Sequence, residues 1–153
     1  MRRSDREIFD RALIDRILEE AIVCRIALCE GDSPYIIPMN FGYRDGCLYL
    51  HSAGEGKKIE MLKKNRNVCF EVDTGCEPIP AGKPCKWSMK YCSVIGFGKA
   101  VFLNSVEEKK KGLDIIVEKY SGKPYTDYAD EMIKRLAVIR VDIESLTGKI
   151  SKG

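Results

Sequence analysis

The chain has 153 residues, 44% of them hydrophobic and 32% charged, with a formal net charge of +3. This composition belongs to one folded domain with one core and excludes a disordered chain. The charge excess is too small to mark a nucleic-acid binder, and no apolar run approaches the roughly 18–20 residues of a membrane span. The N-terminus, Met1-Arg2-Arg3-Ser4-Asp5, leads into charged sequence rather than an apolar signal region, so a cytoplasmic protein is expected.

Ser4-Asp5-Arg6-Glu7 has capping-box spacing, and Ile8, Ala12, Leu13, Ile17 and Ala21 follow at roughly helical period; a helix from about Asp5 to Glu20 is predicted. Ala21 to Glu30, rich in Ile, Val and Cys, reads as a strand buried on both faces or paired in a barrel. Gly31-Asp32-Ser33-Pro34 is a turn. Tyr35 to Tyr43 is the next strand, with Pro38 marking a bulge or an edge position. Asp45-Gly46 is a tight hairpin turn returning into Cys47 to Ser52. A short helix built on Ile59, Met61 and Leu62 stops near Asn65, and Asn67 to Asp73 is a strand. Thr74 to Lys90, with its Gly, Pro, Cys and Lys residues around Trp87, is predicted to be a long loop covering a site. Lys90 to Leu103 is a long strand. Ser105-Val106-Glu107-Glu108 is a second capping box opening a helix to about Tyr120. Its Lys109-Lys110-Lys111 run is a solvated helix face. A weaker helix over Tyr125 to Arg135 and a closing strand over Leu136 to Glu144 complete the series. Strands in hairpin-like succession, without strand–helix alternation, predict a mainly β, α+β domain: an antiparallel barrel with peripheral helices.

Seven cysteines, an odd number with no Cys-x-x-Cys and no zinc-finger spacing, are expected to be reduced thiols rather than disulfides or metal ligands. Cys24, Cys29, Cys47 and Cys69 read as small buried hydrophobes. Cys76, Cys85 and Cys92 lie in or beside the expected loop and carry no assigned role.

The chemistry concentrates in Leu48-Tyr49-Leu50-His51-Ser52-Ala53-Gly54-Glu55-Gly56-Lys57-Lys58, a strand that breaks into a Gly/Lys turn and opens a helix. Backbone N–H groups, a helix N-terminus and two cations together suit a phosphate. Lysines at a helix start oppose its dipole and call for a compensating anion. His51, the chain's only histidine, leaves the strand beside that turn.

The ordered motifs Pro34-Tyr35-Ile36-Ile37-Pro38-Met39-Asn40-Phe41-Gly42-Tyr43, Asp45-Gly46, Leu48 to Ala53, Gly56-Lys57-Lys58, Val68 to Asp73 and Tyr91 to Ala100 resemble the FMN-binding split-barrel proteins related to pyridoxamine 5′-phosphate oxidase. They look most like the nitroimidazole-resistance branch. The resemblance implies a single split-barrel domain over 1–153, with FMN phosphate held by Lys57 and Lys58. Ser52 would anchor ribityl or phosphate oxygens, Met39 and Asn40 would line the isoalloxazine edge, and His51 would stand near the reactive face as a proton donor. Trp87 is a candidate flavin cap or pocket wall, its alternative being a loop anchor. Ser93 is a candidate contact to flavin oxygens, or simply an outward strand residue. The family's symmetry implies a homodimer with flavin at the subunit interface, β-strand Lys90–Ala100 of one copy approaching flavin held by the other. The implied activity is reduction of small, electron-poor, nitroaromatic-type substrates by a reduced nicotinamide or another donor, with no nucleic-acid or membrane partner. A non-catalytic FMN electron carrier or redox sensor, and a haem-binding split barrel with His51 as axial ligand, are the alternatives. The parent oxidase's C-terminal Arg- and Trp-containing substrate motif has no counterpart here, which argues against vitamin oxidation.

Overall fold

The computed structural model describes residues 3–125 and 127–153. Its eight strands are β1 (Glu7–Ile8), β2 (Cys24–Glu30), β3 (Ser33–Met39), β4 (Phe41–Arg44), β5 (Cys47–Ala53), β6 (Asn67–Ile79), β7 (Ser88–Leu103) and β8 (Leu136–Lys152). Four helices accompany them: α1 (Arg11–Glu20), α2 (Lys57–Lys64), α3 (Val106–Ser121) and α4 (Asp130–Arg135). All pairings are antiparallel, in the order β3-β2-β6-β7-β8-β5-β4, with β1 on β8. Consecutive strands β3 and β4 lie at opposite ends of this order, so the chain crosses from one edge of the sheet to the other at Asn40. Phe41, the first residue beyond the crossing, donates its N–H to the Tyr120 hydroxyl at 3.0 Å. This is a split β-barrel with peripheral helices, a mainly β member of the α+β class.

Alternation along the strands fills the barrel. Cys24, Ile26 and Leu28 of β2, Leu48 and Leu50 of β5, and Val68, Phe70 and Val72 of β6 are buried with Phe41 and Val94. Each fully buried large side chain contributes roughly 1.5–3 kcal/mol relative to exposure. Outside the barrel, Tyr49 packs with Leu103, Leu113, Ile133 and Val138 beneath α3 and α4. Lys119 of α3 donates to the carbonyls of Leu18 (2.8 Å) and Glu19 (2.5 Å) and lies 4.3 Å over the Phe41 ring. It thereby satisfies carbonyls at the end of α1 that the helix leaves without partners.

Five expectations need correction. The first helix begins at Arg11, capped by Asp10, whose carboxylate accepts from the Ala12 N–H at 2.9 Å. Ser4–Arg6 form one 3-10 turn and Glu7–Ile8 a strand, because Ile8 is buried against the end of β8 rather than spent on a helix face. The strand expected from Ala21 starts at Cys24 and buries one face only. The predicted loop over Thr74 to Lys90 is largely a hairpin arm. Pairing continues through a bulge between Thr74 and Glu77 to Ile79↔Ser88, leaving Pro80 to Trp87 as the tip. Likewise β8 runs past Glu144 to Lys152, paired with β7 along that extension, and the late helix is confined to Asp130–Arg135. Thr126 of that expected helix lies outside the described residues. By contrast, the second capping box is present as read, with Ser105 Oγ and the Glu108 carboxylate bonded reciprocally. Among the described residues no helix is long and apolar enough to cross a membrane.

Candidate functional site

The site is built where β5 ends and α2 begins. Leu50 turns into the barrel, so His51 points to the other side, opposite Val138 of β8. Ser52 and Ala53 follow opposite Ala137 and Leu136, and then the chain bends through Gly54 and Gly56. A Cβ at Gly54 would lie 2.9 Å from the Arg135 carbonyl oxygen, so only glycine lets this turn close against α4. Gly56 sits at φ 105°, ψ 171°, backbone open to glycine alone, and aims the chain into α2.

No side chain caps α2. The Gly56 carbonyl accepts from the N–H groups of Ile59 (2.9 Å) and Glu60 (3.1 Å), leaving those of Lys57 and Lys58 for an outside acceptor. The two lysines diverge. Lys57 lays its ammonium 4.6 Å over the Tyr35 ring of β3. Lys58 is half-buried, and its Nζ has the Met39 thioether, 3.7 Å away, as its neighbour. A thioether is a weak acceptor, and burial accordingly pushes the Lys58 pKa down.

His51 shares this environment. Its Nδ1 is sealed from solvent and has no hydrogen-bond partner among the described residues. Burial, and secondarily the nearby Lys58 charge, push its pKa below the usual histidine value, so the free protein holds it neutral. Buried polar groups are normally paired, and an orphan ring nitrogen beside an under-solvated ammonium and an uncapped helix start is an unfinished polar site. All three deficits are met by one ligand that carries an anion and hydrogen-bonding heteroatoms. The residues present therefore fit a phosphorylated heteroaromatic group such as a flavin nucleotide.

Of the residues singled out from sequence, Met39, His51, Lys57 and Lys58 converge here, with exposed Asn40 directly beyond Met39. Ser52 is adjacent to His51, its hydroxyl donating to the Ala53 carbonyl at 2.9 Å. Trp87 and Ser93 lie elsewhere in the chain. Ser93 is paired with Asp73 and Lys149, whereas His51 is opposite Val138; Val138 and Lys149 are roughly 35 Å of strand apart. Trp87 stands at the tip of the β6–β7 arm, 57% exposed, donating its indole N–H to the Ala81 carbonyl at 2.8 Å. Tyr35 was not expected. Its signal was the alternation that sets Tyr35, Ile37 and Met39 on one face of β3.

Comparison with known proteins is consistent with this architecture. Residues 10–150 match the family model of pyridoxamine 5′-phosphate oxidase. The chain is similar to the crystal structure of a candidate 5-nitroimidazole antibiotic resistance protein from Bacteroides thetaiotaomicron, at 37% identity and a TM-score of 0.84, covering 94% of this chain and 86% of that one. It shares its fold with the FAD and haem binding protein of Mycobacterium smegmatis (17% identity, TM-score 0.86, 97% and 74% coverage). A FAD-binding protein from Mesorhizobium loti also shares the fold (23% identity, TM-score 0.70, 96% and 98% coverage). No curated protein matches the sequence. The chain belongs to the pyridoxamine 5′-phosphate oxidase family of split barrels, in its nitroimidazole-resistance branch.

Proposed function

We propose that this protein is an FMN-binding flavoprotein that reduces small, electron-poor, nitroaromatic-type substrates, drawing electrons from a reduced nicotinamide or another donor. The observation that carries the reading is the unfinished polar site: the partnerless His51 Nδ1, the poorly solvated Lys58 ammonium and the uncapped start of α2. Likeness of fold to a FAD and haem binding protein and to a FAD-binding protein supports the choice of ligand class. Lys58 and the α2 N–H groups would hold the phosphate by charge-assisted hydrogen bonds, with Lys57 beside them. Met39 and Asn40, at the sheet crossing, would border the ring, and Ser52 would meet ribityl oxygens. When bound, the flavin supplies hydride or single-electron transfer. The chain's own contribution is orientation and a proton: His51, neutral in the free protein, gains one when an anion arrives and can pass it to a substrate oxygen.

A second copy would complete the site. The outward sheet face sets Ile36, Ala27, Cys69 and Phe97 in one cross-strand row, with Ile36 63% and Phe97 54% exposed and Ile95 beside them. An exposed apolar row across four strands suits burial against its two-fold mate. Such packing would carry Ser93 or Trp87 of one subunit to the flavin of the other. The visible spectrum of the purified protein, followed by FMN titration, tests the cofactor: flavin bands and stoichiometric uptake are expected, while a haem Soret band or no chromophore overturns it. Turnover with nicotinamide and a nitroaromatic acceptor then separates a reductase from an electron carrier.

A further inference from the structure

A second cleft, of about 500 Å³, lies on the side of α2 away from Tyr35, between α2, the end of β7 and α4. Phe102 and Leu136 give its floor apolar patches over buried Ile59, and its rim carries Lys63, Arg66 and Arg135 beside Lys134, which is paired with Glu131, with no carboxylate in the lining itself. Among the described residues none of these three cations has a carboxylate partner, whereas many others on the surface do: Lys64 with Glu30, Arg44 with Glu118, Lys110 with Asp130. Lys109 also reaches the cleft but is committed. Its ammonium donates to the carbonyls of Leu136 (2.7 Å), Ile133 and Lys134 (both 3.4 Å), which fixes the end of α4 and so positions Arg135. The rim thus carries three cations without carboxylate partners, on α2, on the link that follows it and on α4, around a partly apolar floor. Three such charges held near one another repel, and an anion between them removes the repulsion.

We propose that this cleft binds an adenosine-phosphate moiety, the flat base on the apolar floor and the phosphates between Lys63, Arg66 and Arg135. Guanidinium groups grip phosphate through paired N–H donors, and an aromatic base fits an apolar floor better than a sugar or a free oxyanion would. The same chemistry comes from two sources: the adenylyl arm of a flavin dinucleotide, or the adenylate end of a reduced nicotinamide donor. Which source applies rests on the flavin reading; the cleft itself does not, since its cations are separate from Lys57 and Lys58.

The test is titration of the purified protein with ADP, by calorimetry, with adenosine and inorganic phosphate as controls. Saturable binding of one ADP per chain is expected, weakened by added salt, and weakened about 10-fold or more by Arg66→Ala and by Arg135→Ala. Lys63→Ala, on an exposed helix face, provides the same readout should either arginine variant fail to fold. Lys57→Ala should leave ADP affinity unchanged. No ADP binding, affinity indifferent to all three cleft substitutions, or loss of ADP binding in Lys57→Ala would each overturn the proposal. If the source is a flavin dinucleotide, Arg135→Ala weakens FAD but spares FMN. If it is the electron donor, Arg135→Ala raises the KM for the nicotinamide with FMN affinity intact. Absent flavin uptake alongside intact ADP binding would sink the flavin reading and leave the cleft standing.

Discussion

Lys58→Met removes the charge while keeping the length of the side chain, and the structure assigns it opposite effects with and without ligand. In the free protein the ammonium is half-buried beside a thioether, with burial lowering its pKa. Losing a poorly solvated charge that has no strong acceptor should leave stability unchanged or raise it by at most about 1 kcal/mol, the upper figure discounted because the group is still partly in water. For a domain of this size that is at most about 2–4 °C in Tm. With FMN bound, the same ammonium would make a charge-assisted bond worth roughly 1.5–3 kcal/mol, so its loss should weaken FMN by about 10- to 150-fold. In excess ligand the stabilisation from binding falls by the same free energy, lowering the holo Tm by roughly 3–12 °C. Thermal unfolding with and without FMN, together with a flavin fluorescence titration, measures both arms. The reasoning fails if FMN affinity in Lys58→Met stays within about two-fold of the parent, or if the ligand-free Tm drops as far as the loaded one.

His51 gives the pH signature. Its folded value is depressed, so the unfolded chain takes up a proton first, and the ligand-free protein loses stability as pH falls from about 6.5 through that lower value. A phosphate-bearing ligand beside it raises the value again; FMN binding should therefore take up a proton. Calorimetry near pH 6 in buffers of different ionisation heat should show that uptake, and His51→Gln should diminish it. In turnover, His51→Ala is expected to keep FMN and lose about 100-fold or more in nitro-substrate reduction; a wild-type rate with full flavin content would leave His51 without a proton-donor role. Phe97→Asp should shift the protein to monomers by sedimentation and lower its flavin content with it. Gly96→Ala would set a Cβ 2.2 Å from the Phe70 ring and 2.8 Å from Leu146; a loss of about 2 kcal/mol, or roughly 4–8 °C in Tm, is expected with little change in FMN affinity of the folded fraction.

Local signals in the sequence were read well where local forces decide. The Ser105–Glu108 box, the Asp45-Gly46 turn with both residues at positive φ, and the stop at Asn65 all depend on neighbours a few residues away. Ser4–Glu7 carries the same local signal and is overruled, because Ile8 has a buried place beside β8, more than a hundred residues on. The β6–β7 arm and the tail of β8 were illegible for a related reason. Gly75, Pro78 and Pro80 read as loop, and only the partner strand, supplying the ladder on the other side, makes that stretch extended. Within the candidate site, His51, Lys57 and Lys58 were legible because strand end, turn and helix start are contiguous. Met39 rested on family resemblance alone, and Tyr35 could not be found without knowing that β3 passes alongside α2. Ser93 differs: the resemblance linked it to flavin held by a second copy, and the register of β7 on β8 holds it far from His51 within one chain.

The missing side chain at Gly54 has a mechanical consequence. With 2.9 Å between its Cβ position and the Arg135 carbonyl oxygen, the turn that leads into α2 and the α4 end share a wall one backbone thick. Nothing compressible lies between them. Movement of the α4 end toward this turn therefore meets backbone directly, with no side chain between to yield. Adding a single methyl at position 54 would drive the two walls apart, making this the smallest change able to displace the turn from α4.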